Sequence, residues 1–149
     1  QNKLHWAITG HTVAEIIKNR AKSEKPNMGL TTWKNAPEGK VLKSDVSIAK
    51  NYLSEKELKD LNRIVTMYLD FAELQAERQN PMKMTDWVSR LDAFLQFNEY
   101  AVLKDAGKIS ATIAKQLAET EYQKYRVKQD QEFQSDFDKE VKRIINKKK

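Results

Sequence analysis

The sequence is poor in the residues that carry metal and redox chemistry and in those that form tight turns. It has no Cys, which excludes disulfide frameworks, Cys-ligated zinc, iron–sulfur clusters and thiol nucleophiles. It has only two His, four Gly and three Pro in 149 residues, too few turn formers for a sandwich of many short strands. No apolar run approaches the roughly 20 residues that a membrane-spanning helix needs. We expect a cytoplasmic protein with no membrane span, metal or cofactor.

The residues that are present favour helices. Apolar residues make up 40% and charged residues 32%, which suits one globular domain better than a disordered tail. Apolar positions recur every three or four residues and no segment alternates convincingly. We therefore predict an all-α fold over residues 1–149: an irregular bundle of about five or six helices with a long C-terminal helix and an extended loop near residues 25–44. Because the chain opens on Gln1, without an initiator Met or a signal sequence, we interpret it as the C-terminal fragment of a longer protein.

Side chains that cap helices predict where the helices begin. Thr12 with Glu15, and Ser54 with Glu57, match the capping box, in which each side chain accepts a backbone N–H of the other residue. Ser44, Thr85 and Ser110 are the other predicted caps. The helices then cover residues 3–8, 13–24, 45–53, 55–79 and 86–105, followed by a long helix from residue 111 with a break near residues 129–132.

Positive charge is concentrated at the two ends of the chain. Residues 1–53 carry nine Lys/Arg against four Asp/Glu, residues 54–109 carry eight against ten, and residues 110–149 carry ten against seven. A basic surface attracts polyanions, although a solvated surface of a basic protein accounts for the same pattern. The predicted nucleic-acid-binding residues lie between the second helix and the following loop, with an aromatic side chain for base stacking: Lys18, Arg20, Lys22, Lys25, Trp33 and Lys34.

Polar residues in the same half of the chain suggest an alternative, an enzyme or effector acting on a nucleotide or nucleic acid. In this hypothesis the loop over residues 25–44 forms a pocket with His11, Thr12, Glu15, Asp45 and Asn51. Ordinary helix capping accounts for Thr12 and Glu15 equally well, and no further His or Cys completes a zinc site. Three carboxylates share a helix face farther along the chain: Asp70, Glu73 and Glu77. Such residues more commonly form a solvated surface, and a divalent-cation site is the alternative.

Several phrases of the sequence are distinctive. They are HWAITGHTVAEIIKNRA, KPNMGLTTW, SDVSIAKNYL, LNRIVTMYLDFAELQA and WVSRLDAFLQFNEYAVLKDAGKIS. Over residues 2 to about 138 the chain resembles the C-terminal half of the RhuM family of bacterial virulence-associated proteins. The resemblance implies a family often described as DNA-binding, whose N-terminal DNA-binding segment is absent here, and it supplies no catalytic residues.

Our interpretation of the sequence is a non-enzymatic module for self-association or partner contact. The apolar stripe from Tyr122 through Ile144 is longer than a bundle of this size needs to cover. This excess predicts a homodimer, with DNA and an unidentified protein as the other expected partners.

Overall fold

The computed structural model describes residues 1–133 and 136–148, and over these ranges the chain forms six α-helices and no β-strand. This confirms the predicted all-α irregular bundle. The helices are α1 (Asn2–Thr9), α2 (Val13–Arg20), α3 (Glu55–Glu77), α4 (Met84–Phe97), α5 (Ala111–Glu132) and α6 (Asp136–Lys147), and short 3-10 turns cover Pro26–Gly29 and Ala49–Tyr52. None of the described helices is long and apolar enough to cross a membrane.

The core is built where α2 packs against α5. Ile16 on α2 and the small residues Ala114 and Ala118 on α5 are completely buried. Small side chains on α5 leave room for the segments between α2 and α3, which contribute Met28 and Val41 to the same cluster. The loop near residues 25–44 is therefore part of the core, which explains why it is ordered without being helical.

Side-chain hydrogen bonds hold the polypeptide backbone of this loop. The Trp33 indole is 8% exposed, and its Nε1 donates to the Gly39 carbonyl at 2.8 Å. Both oxygens of the buried Asp45 carboxylate accept backbone N–H groups, from Lys34 at 3.1 Å and Leu42 at 2.8 Å. A carboxylate that accepts N–H groups from the preceding backbone stabilises a turn instead of a helix. The helix predicted over residues 45–53 is therefore wrong, and only the 3-10 turn near its end forms.

Two other predicted helices are shorter in the structure. The second ends at Arg20 instead of Glu24, because the backbone of Ala21 is extended and the chain turns back until Lys22 N–H donates to the Met28 carbonyl at 3.2 Å. The helix predicted over residues 86–105 begins at Met84, where the Asp86 carboxylate accepts the Lys83 N–H, so Thr85 is not its cap, and it ends at Phe97.

The helices α3 and α4 end in the same way. Gln79 and Glu99 adopt left-handed backbone conformations, with φ of 55° and 65°. One residue later, Asn80 N–H donates to the Gln75 carbonyl and Tyr100 N–H to the Leu95 carbonyl, the bond that closes a Schellman motif. Since glycine usually occupies this position, Glu99 gives no signal of the stop of α4, whereas the end of α3 lies within two residues of the predicted position 79.

Aromatic side chains hold α3 against α4. The Tyr68 ring centroid lies 5.6 Å from that of Phe94 and 6.2 Å from that of Trp87, and the Phe71 and Trp87 rings meet edge to face. The Tyr68 hydroxyl donates to the Trp87 carbonyl at 2.8 Å. This hairpin forms a second layer that is attached to the core through the contact of α3 with α1.

The beginning of α3 is fastened to the end of α2 by an ion pair. Both guanidinium nitrogens of Arg20 donate to the Glu57 carboxylate, at 2.7 and 2.9 Å, and Nη1 also donates to the Tyr52 carbonyl. Glu57 in addition accepts the Ser54 N–H in the predicted capping box. The Arg20 guanidinium is the main reason that the pKa of Glu57 falls to about 2.

We predict that Glu57→Gln lowers the free energy of unfolding by about 1–3 kcal/mol, because it removes charged hydrogen bonds to Arg20. The contribution is complete above the unfolded-state pKa of 4.5 and is lost as the pH falls toward 2. Urea unfolding between pH 7 and pH 2.5 measures both effects. Glu55→Gln, an exposed change in the same helical turn, is the control, and an equal effect of the two substitutions would contradict the prediction.

Candidate functional site

The most constrained polar group of the predicted sites is the carboxylate of Glu15, at the beginning of α2. One of its oxygens, Oε2, accepts the Thr12 N–H at 3.0 Å, and the Thr12 hydroxyl accepts the Glu15 N–H at 3.3 Å. The other oxygen, Oε1, accepts the N–H of Lys108 at 3.1 Å. Hydrogen bonds from Lys108 and Thr12, in that order, hold the pKa of Glu15 below its usual range. Both oxygens therefore serve the fold.

Glycine at position 107 allows this arrangement. Its φ is +81°, and a Cβ there would lie 2.6 Å from the methyl carbon of Thr12 and 3.2 Å from Oε1 of Glu15. Only a residue without a side chain lets the segment approach the start of α2 so closely. The segment leading into α5 is thereby joined to α2.

A groove of about 420 Å³ lies beside this carboxylate. The exposed ring of His11 lines it, with its Nδ1 3.7 Å from Oε2 of Glu15. The other side chains along it include Trp6, Lys18, Asn19 and Lys108. Asp45 and Asn51, which were predicted to face the same pocket, do not line this groove.

The five predicted pocket residues form two separate groups in the structure. His11, Thr12 and Glu15 lie at the beginning of α2, whereas the Asn51 amide donates to the Asp45 carbonyl at 3.0 Å within the loop before α3. No hydrogen bond in the described part of the chain joins one group to the other. Thr12 and Asp45 are also buried, with 1% and 4% of their surfaces exposed. Hydrogen bonds within the fold therefore account for four of the five predicted pocket residues, and His11 is the exception.

The predicted nucleic-acid-binding residues divide into buried and exposed members. Trp33 is a core residue, so the proposed stacking of its indole on a base is a prediction that the structure corrects. Arg20 is engaged by Glu57 and by the Tyr52 carbonyl, which removes it from the set available to phosphates. The four lysines remain exposed, and none forms an ion pair with a described residue: Lys18, Lys22, Lys25 and Lys34.

The histidine in α1 is buried beside a second groove. Only 7% of His5 is exposed, and its Nδ1 donates to the Gln1 carbonyl at 2.9 Å. Its Nε2 has no hydrogen-bond partner among the described residues, and burial lowers the pKa of His5. Burial therefore favours the neutral form of the imidazole. The groove of about 440 Å³ is otherwise lined by apolar and polar side chains of α1, α2, α3 and the segment before α3, which contributes Ile48 and Lys50.

The C-terminal apolar stripe is divided between the core and the surface. Tyr122 is 8% exposed and its hydroxyl donates to the Val41 carbonyl at 3.3 Å, and Phe133 lies under the ammonium group of Lys40, 5.0 Å from its ring centroid. In α6, by contrast, 75% of Phe137 and 50% of Ile144 are exposed. The part of the predicted dimer stripe that is free for another molecule is α6, not the whole range from Tyr122.

These features define an all-α protein in which most of the predicted polar site residues form hydrogen bonds within the fold, and in which α6 and the α3–α4 hairpin carry exposed apolar side chains. The described residues include no group of three His, Asp or Glu side chains arranged to hold a metal ion. The model of the virulence protein RhuM family matches residues 1–134, and the chain belongs to this family. No curated protein and no solved structure matches it.

We predict that Glu15→Gln destabilises the protein by about 1–3 kcal/mol, because the amide group of Gln faces a backbone N–H that needs an acceptor. Glu24→Gln, an exposed change with the same loss of charge, is the control. Thermal unfolding at pH 7 measures the difference. Equal midpoints for the two variants would show that the bonds to Thr12 and Lys108 contribute nothing to stability.

Proposed function

We propose that this chain is a non-enzymatic interaction module of a RhuM-family protein and that it self-associates through α6. The observation that carries the proposal is the exposed apolar face of this helix, which has no extensive contact with any other described element. Its members recur at helical spacing and are between 37% and 75% exposed: Phe137, Val141, Ile144 and Ile145.

The position of α6 supports a role in association over a role in folding. The helix begins after α5 has finished its contacts with the core, where the Gln129 side chain bonds to both the N–H and the carbonyl of Val41. An isolated helix of 12 residues is only marginally stable in water. A contact that buries its apolar face supplies the missing stability, which is the thermodynamic basis of the proposal.

We expect Phe137→Glu combined with Val141→Glu to weaken self-association about tenfold or more, because two apolar contacts are replaced by charges. Sedimentation equilibrium over micromolar to millimolar concentrations measures the dissociation constant. Val127→Glu is the matched control, since Val127 is 61% exposed but lies on α5. A monomeric unsubstituted chain throughout this range would refute the proposal, and so would an equal effect of the control.

The second candidate function is contact with nucleic-acid phosphates. It is supported by the exposed ammonium groups of Lys18, Lys22, Lys25 and Lys34, which have no carboxylate partner among the described residues. Such cations displace the counterions condensed on a nucleic acid, which makes binding dependent on salt. Trp33 and Arg20 have no part in this proposal, because both are engaged within the fold.

We predict salt-dependent binding of labelled duplex DNA, single-stranded DNA or RNA, with a log–log slope that becomes less steep when the four lysines are changed to Ala. On duplex DNA the slope changes by about 0.9 for each phosphate that a lysine no longer neutralises. Fluorescence anisotropy across a salt series measures it. A control variant removes four other exposed lysines, at positions 59, 104, 115 and 128. Binding that is absent near physiological salt, or equally reduced in both variants, would refute this function.

A further inference from the structure

The hairpin of α3 and α4 carries a second uncovered apolar surface, which we call the hairpin groove. It has a volume of about 350 Å³ and is lined by Phe71 of α3 and by Arg90, Ala93, Phe94 and Phe97 of α4. Phe97 is 87% exposed. Met67 and Leu74 lie on the same face of α3 as Phe71, four positions before it and three after it, and are 40% and 41% exposed. An exposed apolar patch of this kind is typical of an interaction surface.

The apolar spacing of the hairpin groove matches that of α6. On α3 the apolar residues Met67, Phe71 and Leu74 are separated by four and three positions, and on α6 the residues Phe137 and Val141 followed by Ile144 have the same separations. Each set spans seven residues, about 10 Å along a helix axis at 1.5 Å per residue. Two such stripes have equal length and present their side chains at the same intervals, as packed helices require.

Some of the charges beside the two stripes are opposite in sign. Asp70, Glu73 and Glu77 lie along α3 next to its apolar stripe, and none forms an ion pair with another described residue. Lys142 and Lys147 of α6 likewise have no carboxylate partner within the described ranges. Opposite charges at these positions favour association of the two stripes, and the acidic Glu140 of α6 is engaged within the helix, 3.7 Å from Arg143.

We propose that α6 of one copy packs into the hairpin groove of a second copy of this chain, and that the contact is reciprocal. The inference rests on the proposed self-association and specifies its geometry. A second copy is the favoured occupant because α5, which leads to α6, packs on α2 and on the Pro26–Gly29 turn, whereas the main contact of α3 is with α1. Two reciprocal contacts close a symmetric dimer and leave neither surface exposed.

The test uses two variants, each of which damages a different side of the proposed contact. Ile144→Glu places a charge in α6, and Phe97→Glu places one in the hairpin groove. Both positions are solvent-exposed, at 50% and 87%, so neither change disturbs the core, and circular dichroism verifies that the helices form. We expect each variant alone to dissociate about tenfold more readily than the unsubstituted chain. An equimolar mixture restores one intact contact, and sedimentation velocity detects the resulting heterodimer.

Other results would separate failure of this inference from failure of self-association. Full association of Phe97→Glu, with dissociation of Ile144→Glu, would mean that α6 pairs with something other than the hairpin groove, and it would overturn the inference while self-association stands. A mixture that associates no better than either variant would overturn it as well. An unsubstituted chain that stays monomeric would refute both proposals.

Crosslinking gives an independent readout, because the chain has no Cys of its own. We expect a chain with Ala93→Cys to form a disulfide with a separate chain carrying Ile144→Cys, so that a dimer appears on a non-reducing gel. A chain that carries both substitutions and forms only a crosslinked monomer would show that α6 occupies its own groove, which would contradict the second copy as occupant. Val127→Cys replaces Ile144→Cys as the control and is expected to give no specific product.

Discussion

The fold depends on one buried carboxylate that joins segments far apart in the chain. Glu15 accepts backbone N–H groups from Thr12 and from Lys108, which is 93 residues away. The bond from Thr12 caps the beginning of α2, and the bond from Lys108 holds the segment before α5 against α2. Since α2 and α5 form the centre of the core, the packing of Ile16 against Ala114 and Ala118 depends on this connection. Gly107 is required because a side chain there would collide with Thr12.

The polar groups with shifted pKa values mostly serve connections of this kind. Glu57 holds Arg20, and Glu121 accepts the Ser23 N–H at 2.8 Å, so that α5 is tied to the end of α2. Hydrogen bonds from neighbouring elements lower the pKa values of both carboxylates, and the same hydrogen bonds join those elements. A reactive site, by contrast, needs a group with an unused proton or lone pair within reach of a substrate. In the described part of the chain, the internal contacts leave the apolar faces of α6 and the hairpin exposed and the buried Nε2 of His5 without a partner.

Most beginnings of helices were predictable, whereas some of their ends were not. Thr12, Ser54 and Ser110 cap the helices as predicted, because capping depends on side chains a few residues apart. The predicted caps Ser44 and Thr85 are wrong, because no helix follows Ser44 and α4 begins at Met84. The end of α3 at Glu77 lies within two residues of the predicted position 79, whereas the end of α4 was missed, since Glu99 is not a glycine. The break in the C-terminal helix was expected near residues 129–132, and α5 ends at Glu132. Trp33 and Arg20 were misassigned because exposure and ion pairing involve residues distant in the chain.

The sequence by itself determined the all-α class, the caps, the ordered loop and the membership of the RhuM family, because helical periodicity, capping motifs and family phrases are local patterns. Only the tertiary structure decided which polar residues are used internally. Glu15 meets Lys108, Asp45 meets Lys34, and Tyr122 meets Val41 through contacts between separate segments. The same contacts leave α6 and the hairpin groove uncovered. Such surfaces are defined by what the rest of the chain does not reach, and no local pattern contains that information.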